Sequence, residues 1–574
     1  MEDVPKQHHL LPAASDYRAK HTPNRVFAIL PKGDSLADGF FNLTYAGLAK
    51  AVDSTAWWLE DVLGAIPTED KFTDFPTVPY IGPNDYRYHL FLLAAMKTGR
   101  KVMFPFVANT TEGLARLLEL SNSKVALATP THSHIWNEQI TRKPEIRLIE
   151  VPEITEFIHE RSVKSYAYVR VWEEGIEDPQ VLIQTAGTTG TPKPIILNNR
   201  WTEEYHADVA QALRHAPQDQ QIATYAILEN TSLPNFLPLS WVAGIAMTLW
   251  CPLYVSTVPI MLPAASMTTA PTAEHIKAVG KYAPRGKRNG IMLVSDMLRH
   301  LVREEEGRQS LNVYEWVGYV GAPLVHETGD AITAMGIRVQ SCIGSTDTGL
   351  YNLLLNDRKD WKYHRFPDGL HNFYMDQFSD DKLFELCTKR GDNDPRPVFV
   401  MNPDMDIYRT RDLWRAVEGR PGFFSNAGRV DDFVKLSTMT KFNAISIEQI
   451  VEKNPVVAKC LIAGDSRVKP FIIVEPSPDI GMDEDTLEAD VIERVWPAIA
   501  AANERLLPET RLSKELTLIT LPGKGIIRTA KRTVQRRINL DTYEKIIEHN
   551  YMAAGYEAVP FTATGEAKIN AHAR

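Results

Sequence analysis

The chain has 574 residues, 44% hydrophobic and 24% charged, with a formal net charge of −9. This is the composition of a globular protein with room for about three or four domains and a large core, not of a disordered or fibrous chain. The acidic balance argues against general nucleic-acid binding, and the four scattered cysteines (Cys251, Cys342, Cys387, Cys460) exclude a disulfide framework and a CxxC zinc site.

In chain order, MEDVPKQHHLLPAAS lacks the basic and apolar runs of a secretory signal, so the cytoplasm is the expected location. RVFAIL reads as a strand and LTYAGLAKAVDSTAWWLEDVL as a helix, with Leu48, Val52, Trp57 and Leu59 on its apolar side. VPYIG and KVMFPF bracket a helical YRYHLFLLAAMKTG, and KVALAT follows the helical ANTTEGLARLLELSN. VLIQ and PIILNN are strand-like. Between Glu229 and Glu274 no residue is charged, and SWVAGIAMTLWCPLYVSTVPIML is apolar over a membrane-spanning length. Pro252, Pro259 and Pro263 interrupt it and no basic flank orients it, so we expect a buried helix, a turn at Cys251-Pro252 and a buried strand. IMLV, WVGYVGAP and VQSCIG continue the βα alternation of an α/β layer fold.

EGRPGFFSNAGRVDD, from Glu418 to Asp432, has the Gly/Pro composition of a linker. Beyond it KCLIAG and PFIIVEPS read as adjacent strands. A helix carries Ile492, Val495, Ile499, Ala502 and Leu506, with Pro497 expected to kink or restart it. TLITLP is another strand, and a terminal helix surrounds Tyr543–His549. The expected organisation is an α/β fold with a large multi-layer body over 1–427, a hinge at 428–432 and a small α+β domain over 433–574.

Thr185-Ala186-Gly187-Thr188-Thr189-Gly190-Thr191-Pro192-Lys193 sits between two strand-like segments. Its hydroxyls, glycines and lysine suit a loop wrapped around phosphate oxygens, since glycines permit close approach and N–H groups donate. It is not a Walker A loop, and a flexible Gly/Thr turn is the plain alternative. Gly321-Ala322-Pro323, Gly344-Ser345-Thr346-Asp347, Tyr408-Arg409-Thr410-Arg411-Asp412-Leu413, Gly428-Arg429-Val430-Asp431-Asp432 and Arg528-Thr529-Ala530-Lys531 follow in order. Together these motifs make the chain resemble the adenylate-forming superfamily of acyl-CoA synthetases, luciferases and peptide-synthetase adenylation domains, from about Val26 to Tyr543. Tyr80-Ile81-Gly82-Pro83-Asn84-Asp85 with Tyr88, Phe106, Asn109, Trp361 and Tyr363 make it most similar to the adenylation domain of fungal peptide-synthetase-like carboxylic acid reductases.

The resemblance implies a large body with a small mobile C-terminal domain, and a reaction in two steps. A carboxylate and ATP give an acyl-adenylate and pyrophosphate, and a thiol then takes the acyl group. By resemblance, Thr185, Gly187, Thr188, Thr189, Gly190, Thr191 and Lys193 hold the ATP phosphates. Gly321, Ala322 and Pro323 line the adenine. Ile343 stands where relatives stack an aromatic ring on it, followed by Gly344 and Ser345. Thr346 contacts the α-phosphate, Asp412 accepts the ribose hydroxyls, and Arg429 contacts ribose or only anchors the linker. Asp347 replaces the usual Glu that positions Mg²⁺. Lys531 is the lysine that swings onto the reacting carboxylate, with Arg532 in place of the usual glycine, and Asp431 is the hinge residue. The plain alternatives are a turn cap for Asp412, a surface ion pair for Asp347, and a solvated face or weak nucleic-acid patch for the basic run Lys524, Arg528, Lys531, Arg532, Arg536 and Arg537.

Amino-acid-activating relatives place an Asp early in the region that Leu237 to Gly244 resembles, to pair with the α-ammonium group; no acid occurs here, so the resemblance implies an aryl or other non-amino carboxylic acid. Trp241 offers that acid a flat apolar wall or is plain core, and Val242, Gly244 and Val320 complete the implied pocket. Two motifs are set aside. Gly33-Asp34-Ser35-Leu36 looks like a hydrolase start or a carrier serine but reads as a loop, and His132-Ser133-His134 lacks a nearby third metal ligand. About thirty residues follow Tyr543, too few for a carrier domain, and no dinucleotide-type glycine pattern appears. The expected acceptor is therefore a phosphopantetheine thiol on a carrier domain outside the chain, feeding a reductase. A free-standing acyl-CoA ligase and a non-catalytic nucleotide-binding module are the alternatives. The expected partners are a small-molecule carboxylic acid and the carrier and reductase domains of a larger synthetase, with ATP and Mg²⁺ as cofactors. A monomer without nucleic-acid or membrane partners is expected.

Overall fold

The computed structural model describes residues 4–107, 109–159, 161–186, 192–267, 271–284, 286–379, 382–438, 440–478, 488–521, 523–528 and 534–556. In chain order the first strands are β1 (Val26–Pro31), β2 (Phe40–Thr44), β3 (Thr77–Ile81), β4 (Lys101–Met103), β5 (Val125–Ala128), β6 (Arg147–Glu150), β7 (Pro179–Ala186) and β8 (Pro192–Asn198). They are followed by β9 (Thr231–Asn235), β10 (Val258–Met261), β11 (Arg288–Val294), β12 (Trp316–Val320) and β13 (Arg338–Ser341). One sheet runs β13-β12-β11-β9-β10-β1-β2 and the other β6-β5-β3-β4-β7-β8. Each is parallel except for an antiparallel edge strand, β2 in the first and β8 in the second. Parallel strands need crossover connections that cover both faces, so Ile260, Ile291, Leu293 and Val317 are wholly buried.

The helix Tyr45–Leu63 begins where the Thr44 hydroxyl accepts the Gly47 N–H at 3.1 Å and ends at Gly64, whose φ is 83°. Leu48, Ala51, Val52, Ala56 and Leu59 form its buried face. Trp57, expected there, is 37% exposed, and its indole N–H donates to the Lys164 carbonyl. At about 3.6 residues per turn Trp57 lies opposite Leu48.

The long apolar segment also departs from expectation. Val242–Ile245, a π-helical Ala246–Trp250 and Cys251–Tyr254 run on as one helix, so Cys251-Pro252 makes no turn and the chain reverses only at residues 255–257 before β10. Pro252 has no N–H for the Thr248 carbonyl four residues back, and its ring crowds that oxygen. The π-helical turn widens the helix there, and the Thr248 carbonyl accepts the Tyr86 hydroxyl at 2.8 Å instead. Among the described residues no helix is long and apolar enough to cross a membrane.

A short hairpin, β14 (Gly344–Ser345) and β15 (Gly349–Leu350), leads to an antiparallel sheet of β16 (Phe373–Ser379), β17 (Leu383–Lys389), β18 (Ile407–Ala416) and β19 (Phe424–Arg429). The middle of the expected linker is therefore sheet. Pairing with β18 takes up residues 424–429, while Gly419 (φ 69°) and Gly422 (φ 78°) shape the turn between the strands.

The C-terminal part contains β20 (Phe433–Lys435), β21 (Lys441–Asn443), β22 (Val457–Ala463), β23 (Phe471–Pro476) and β24 (Thr517–Ile519). Helices Ala444–Val451, Glu488–Asn503 and Arg536–Ala553 pack with them. The second of these buries Val491, Val495, Ile499 and Ala502 and passes through Pro497 unbroken. Pro497 and Glu493, whose carbonyl it would deprive of a partner, are both exposed, so the missing bond falls on the solvent side of the helix. The basic run is not simply a solvated face either. Arg536 donates to both oxygens of buried Glu448, at 2.7 and 2.8 Å, and Arg528 and Arg537 pair with Glu475 and Asp541.

Candidate active site

The most complete polar constellation grows from β18. Between the register pairs Cys387↔Arg409 and Glu385↔Leu413, the single residue Leu386 of β17 faces Thr410, Arg411 and Asp412 of β18. This bulge puts Arg411 at φ 65° and is tied by Thr410, whose hydroxyl donates to the Leu386 carbonyl at 2.7 Å and accepts the Asp412 N–H at 3.1 Å. Bulges re-aim side chains. On the other side of the strand, register pairs Asp412 directly with Arg429 of β19. The Arg429 guanidinium donates to Asp412 Oδ1 at 2.8 Å and the Tyr351 hydroxyl to Oδ2 at 2.7 Å. Burial raises the Asp412 carboxyl above its usual range, opposed by Arg429 and by the bond from Tyr351.

Asp347 lies in the β14–β15 turn. That turn is held by Ser345, whose Oγ lies 2.8 Å from Thr348 Oγ1 and accepts the Thr348 N–H at 3.2 Å. A Cβ on Gly344 would stand 2.4 Å from the Gly349 carbonyl oxygen, so the hairpin requires glycine there. Thr346 is buried, and the Asp347 carbonyl accepts the Val398 N–H at 3.0 Å. Burial raises the Asp347 carboxyl, while Lys193 on β8 and Arg429 pull it down. Burial, then Asp347 among its neighbours, also raises Tyr408. Lys193, Asp347, Tyr408, Asp412 and Arg429 thus share one electrostatic neighbourhood. Within it the desolvated Asp347 carboxylate would suit Mg²⁺, which is held by one or two carboxylates, waters and substrate phosphates. A cation at Asp347 would offset its burial.

Gly321, at φ 92°, follows β12, and the Ala322 carbonyl accepts the Ser295 hydroxyl just before Pro323. Ile343 is partly buried with Tyr351 and Trp414, and its carbonyl accepts the Tyr351 N–H, linking it to the Asp412 group. Trp241, Val242 and Val320 instead belong to the main core, with Phe106. Trp241 is 7% exposed, its ring 6.4 Å from that of Phe106. A Cβ on Gly244 would lie 2.1 Å from the Pro238 carbonyl oxygen, so this glycine seats the helix start on the preceding loop.

The residues suggesting a reductase-type relative have identifiable positions. Asn84 accepts the Leu239 N–H at 2.7 Å and donates to the Leu237 carbonyl at 3.5 Å, fixing the segment that leads to Trp241. Asn109 and Gln184 exchange two amide hydrogen bonds of 2.7 Å, and Gln184 also accepts the Phe106 N–H at 3.2 Å. Gln184 directly precedes Thr185, so this pair tethers the Phe106–Asn109 segment to the start of the Thr/Gly-rich loop. Tyr80, Gly82 and Tyr88 are close-packed, with the Tyr88 hydroxyl on the Gly82 carbonyl, while Trp361 donates to Asp330 and Tyr363 lies under Arg420. Gly187, Thr188, Thr189, Gly190, Thr191, Lys531 and Arg532, and the side chains of Thr185 and Asp431, lie outside the described residues.

Tyr351, Tyr408 and Gln184 received no role from the sequence. Tyr408 opens the Asp412 motif and Gln184 ends VLIQ, so both were within reach of motif reading. Tyr351 meets Asp412 only through tertiary structure. Ser35 caps a short exposed turn, as the loop reading of its motif expects, and His132 Nδ1 bonds the Thr129 and Thr131 hydroxyls.

Residues 15–367 match the family described as AMP-binding enzyme and residues 431–555 its AMP-binding enzyme C-terminal domain. A carboxylic acid reductase of Neurospora crassa is 26% identical over 93% of this chain and 50% of its own length. An adenylate-forming reductase of Serpula lacrymans is 23% identical over 94% of this chain and 49% of its own. The chain spans about half the length of these curated relatives. The solved A domain of a carboxylic acid reductase from Segniliparus rugosus shares the fold, with a TM-score of 0.66 and 14% identity over 95% of this chain and 94% of its own. The chain belongs to the AMP-binding enzyme family, as an adenylate-forming enzyme similar to carboxylic acid reductases.

Proposed function

We propose that the chain activates a non-amino, aryl-type carboxylic acid with ATP and hands the acyl group to a phosphopantetheine thiol on a carrier domain, which delivers it to a reductase. The observation that carries the nucleotide half is Asp412, held between Arg429 and Tyr351 beside Asp347 and Lys193. Each Asp412 oxygen keeps a lone pair for a ribose hydroxyl. The adenylating step joins two anions, so its transition state needs preorganised positive charge and hydrogen-bond donors. Lys193 and the loop it closes are assigned to the outer phosphates, Thr346 to the α-phosphate and Lys531 to the attacking carboxylate. Mg²⁺ held by Asp347 would supply charge neutralisation for the phosphates. Gly321 to Pro323 and Ile343 border the adenine in this reading, and Asp431 is the hinge.

For the acid, the Trp241–Phe106 wall and the uncharged segment Leu237 to Gly244 support an apolar ring over a zwitterionic amino acid. The reductase names of relatives about twice as long support a carrier thiol over free coenzyme A. The test supplies the enzyme, ATP and benzoate with either a phosphopantetheinylated carrier domain or coenzyme A, and measures thioester by mass. Carrier loading at least tenfold faster than acyl-CoA formation is expected, and the reverse preference would overturn carrier delivery.

A further inference from the structure

At the other end of the seven-stranded sheet from the nucleotide motifs, a cleft of about 530 Å³ is lined by Arg25, Ala226, Glu229, Asn230, Ser256 and Arg288. Arg25 precedes β1, Asn230 precedes β9, Ser256 lies just before β10 and Arg288 opens β11, which are adjacent parallel strands. The cleft therefore sits at strand N-termini, whereas Gly321 and Gly344 follow the C-terminal ends of β12 and β13.

Neither of its lining arginines is ion-paired to an acid among the described residues. Arg288 fixes itself with Nη2 on the carbonyls of Ala226, Ile227 and Glu229, at 2.7, 2.7 and 3.0 Å. Lys287 Nζ donates to the Ser256 carbonyl at 2.7 Å. These partners are neutral carbonyls, not acids. The Arg25 guanidinium has no hydrogen bond or ion pair among the described residues. Glu229, the acid on the lining, faces Arg214 at 3.6 Å. Burial, and then Arg25, push Lys287 down to about 8, while Arg338 nearby feels both Arg288 and Arg358. Asn230 (φ 55°) and Ser256 (φ 65°) hold left-handed conformations that cost energy and recur at ligand clamps. Two arginines, Arg25 and Arg288, thus line the cavity, with Lys287 held beside it on the Ser256 carbonyl and the lining's one acid, Glu229, turned to Arg214.

We propose that this cleft binds a small phosphate-class dianion through Arg25 and Arg288, with Lys287 adding positive charge from behind Ser256, apart from the adenylation site. Guanidinium forks match tetrahedral oxyanions, and the Asn230 amide and Ser256 hydroxyl add neutral donors. The dianion is either free phosphate or the phosphate of a small monoester.

The test titrates the full chain calorimetrically at pH 7 and constant ionic strength with inorganic phosphate and, separately, glucose 6-phosphate. Wild type, Arg25→Gln, Arg25→Lys and Lys193→Ala are compared, each checked for an unchanged thermal midpoint. Saturable binding weakened about tenfold by Arg25→Gln, partly kept by Arg25→Lys and unaffected by Lys193→Ala is the expected result. Tighter binding of the monoester assigns the organic source, and tighter binding of phosphate the free ion. No saturable binding of either probe, an Arg25→Gln affinity within threefold of wild type, or loss of binding in Lys193→Ala would overturn the proposal.

Discussion

Asp412 and Trp241 differ in how far a residue's neighbours can be read from sequence. The motif around Asp412 named the acid and left open whether Arg429 meets ribose or only secures the chain. The β18–β19 register pairs them, while the Tyr351 hydroxyl arrives from a turn that no local pattern connects to β18. If Asp412 receives the ribose, Asp412→Ala should raise the KM for ATP and lower ATP–pyrophosphate exchange roughly 10²-fold. Tyr351→Phe removes one bond to a charged group, worth about 1.5–3 kcal/mol, so a loss of about tenfold or more is expected. Exchange kinetics at varied ATP check both, and an unchanged KM in Asp412→Ala contradicts the assignment. Trp241 is buried in the core with Phe106, so truncating it tests packing together with the proposed wall. Trp241→Ala should destabilise by about 3–5 kcal/mol, so Trp241→Phe is the cleaner probe. It should shift preference among acids by about 1–3 kcal/mol with little change in the KM for ATP. An unchanged acid profile would leave Trp241 as packing alone.

At the scale of elements, the strands and helices of the body were legible because apolar runs of strand length alternate with helical periods. What escaped were elements decided by partners distant in sequence. The Gly/Pro-rich stretch after Glu418 became β19 because β18 offers it an edge, and the helix through Pro252 survives because Tyr86 satisfies the carbonyl that proline leaves. The basic run looked solvated because its acids lie far upstream, Glu448 and Glu475 among them. Arg536 and Glu448 form a largely buried pair that also bonds both the N–H and the carbonyl of Ile462. Breaking such a pair strands a charge, so Glu448→Ala should cost the C-terminal part about 3–5 kcal/mol. Hydrogen exchange followed by mass spectrometry should show deprotection of Ala444–Val451, Val457–Ala463 and Arg536–Ala553 while β9–β13 keep their protection. Equal deprotection of both would mean that the two parts do not unfold separately.

On the scale of the whole molecule, contacts between the small part and the body among the described residues include Lys453–Glu327 at 2.5 Å, Arg299–Glu452 at 3.9 Å and the rings of Phe378 and Phe433 at 6.4 Å, and Asn443 donates to the Ala427 carbonyl beside Gly428, whose φ is 91°. An exposed ion pair such as Lys453–Glu327 suits a hinge that re-docks one unit on the other. Lys531 and Asp431 can be placed in that cycle only from the motif order. If Lys531 serves adenylation alone, Lys531→Ala should lose exchange roughly 10²–10³-fold yet transfer acyl groups from a supplied acyl-adenylate. Asp431→Pro, by fixing φ at the hinge, should keep exchange and lose transfer. Measuring both half-reactions in both variants checks this, and equal loss of the two in Lys531→Ala contradicts it.

The claim on which the rest depends is that an acid without an α-ammonium group is joined to AMP at the site built around Asp412 and Asp347. ATP–[³²P]pyrophosphate exchange with a panel of aryl, aliphatic and α-amino acids, run with and without Mg²⁺, measures that most directly. Exchange that requires Mg²⁺, is strong with benzoate-type acids and is at background with free amino acids is the predicted result. Exchange driven by amino acids and not by aryl acids, or none with any acid in the panel, would contradict it.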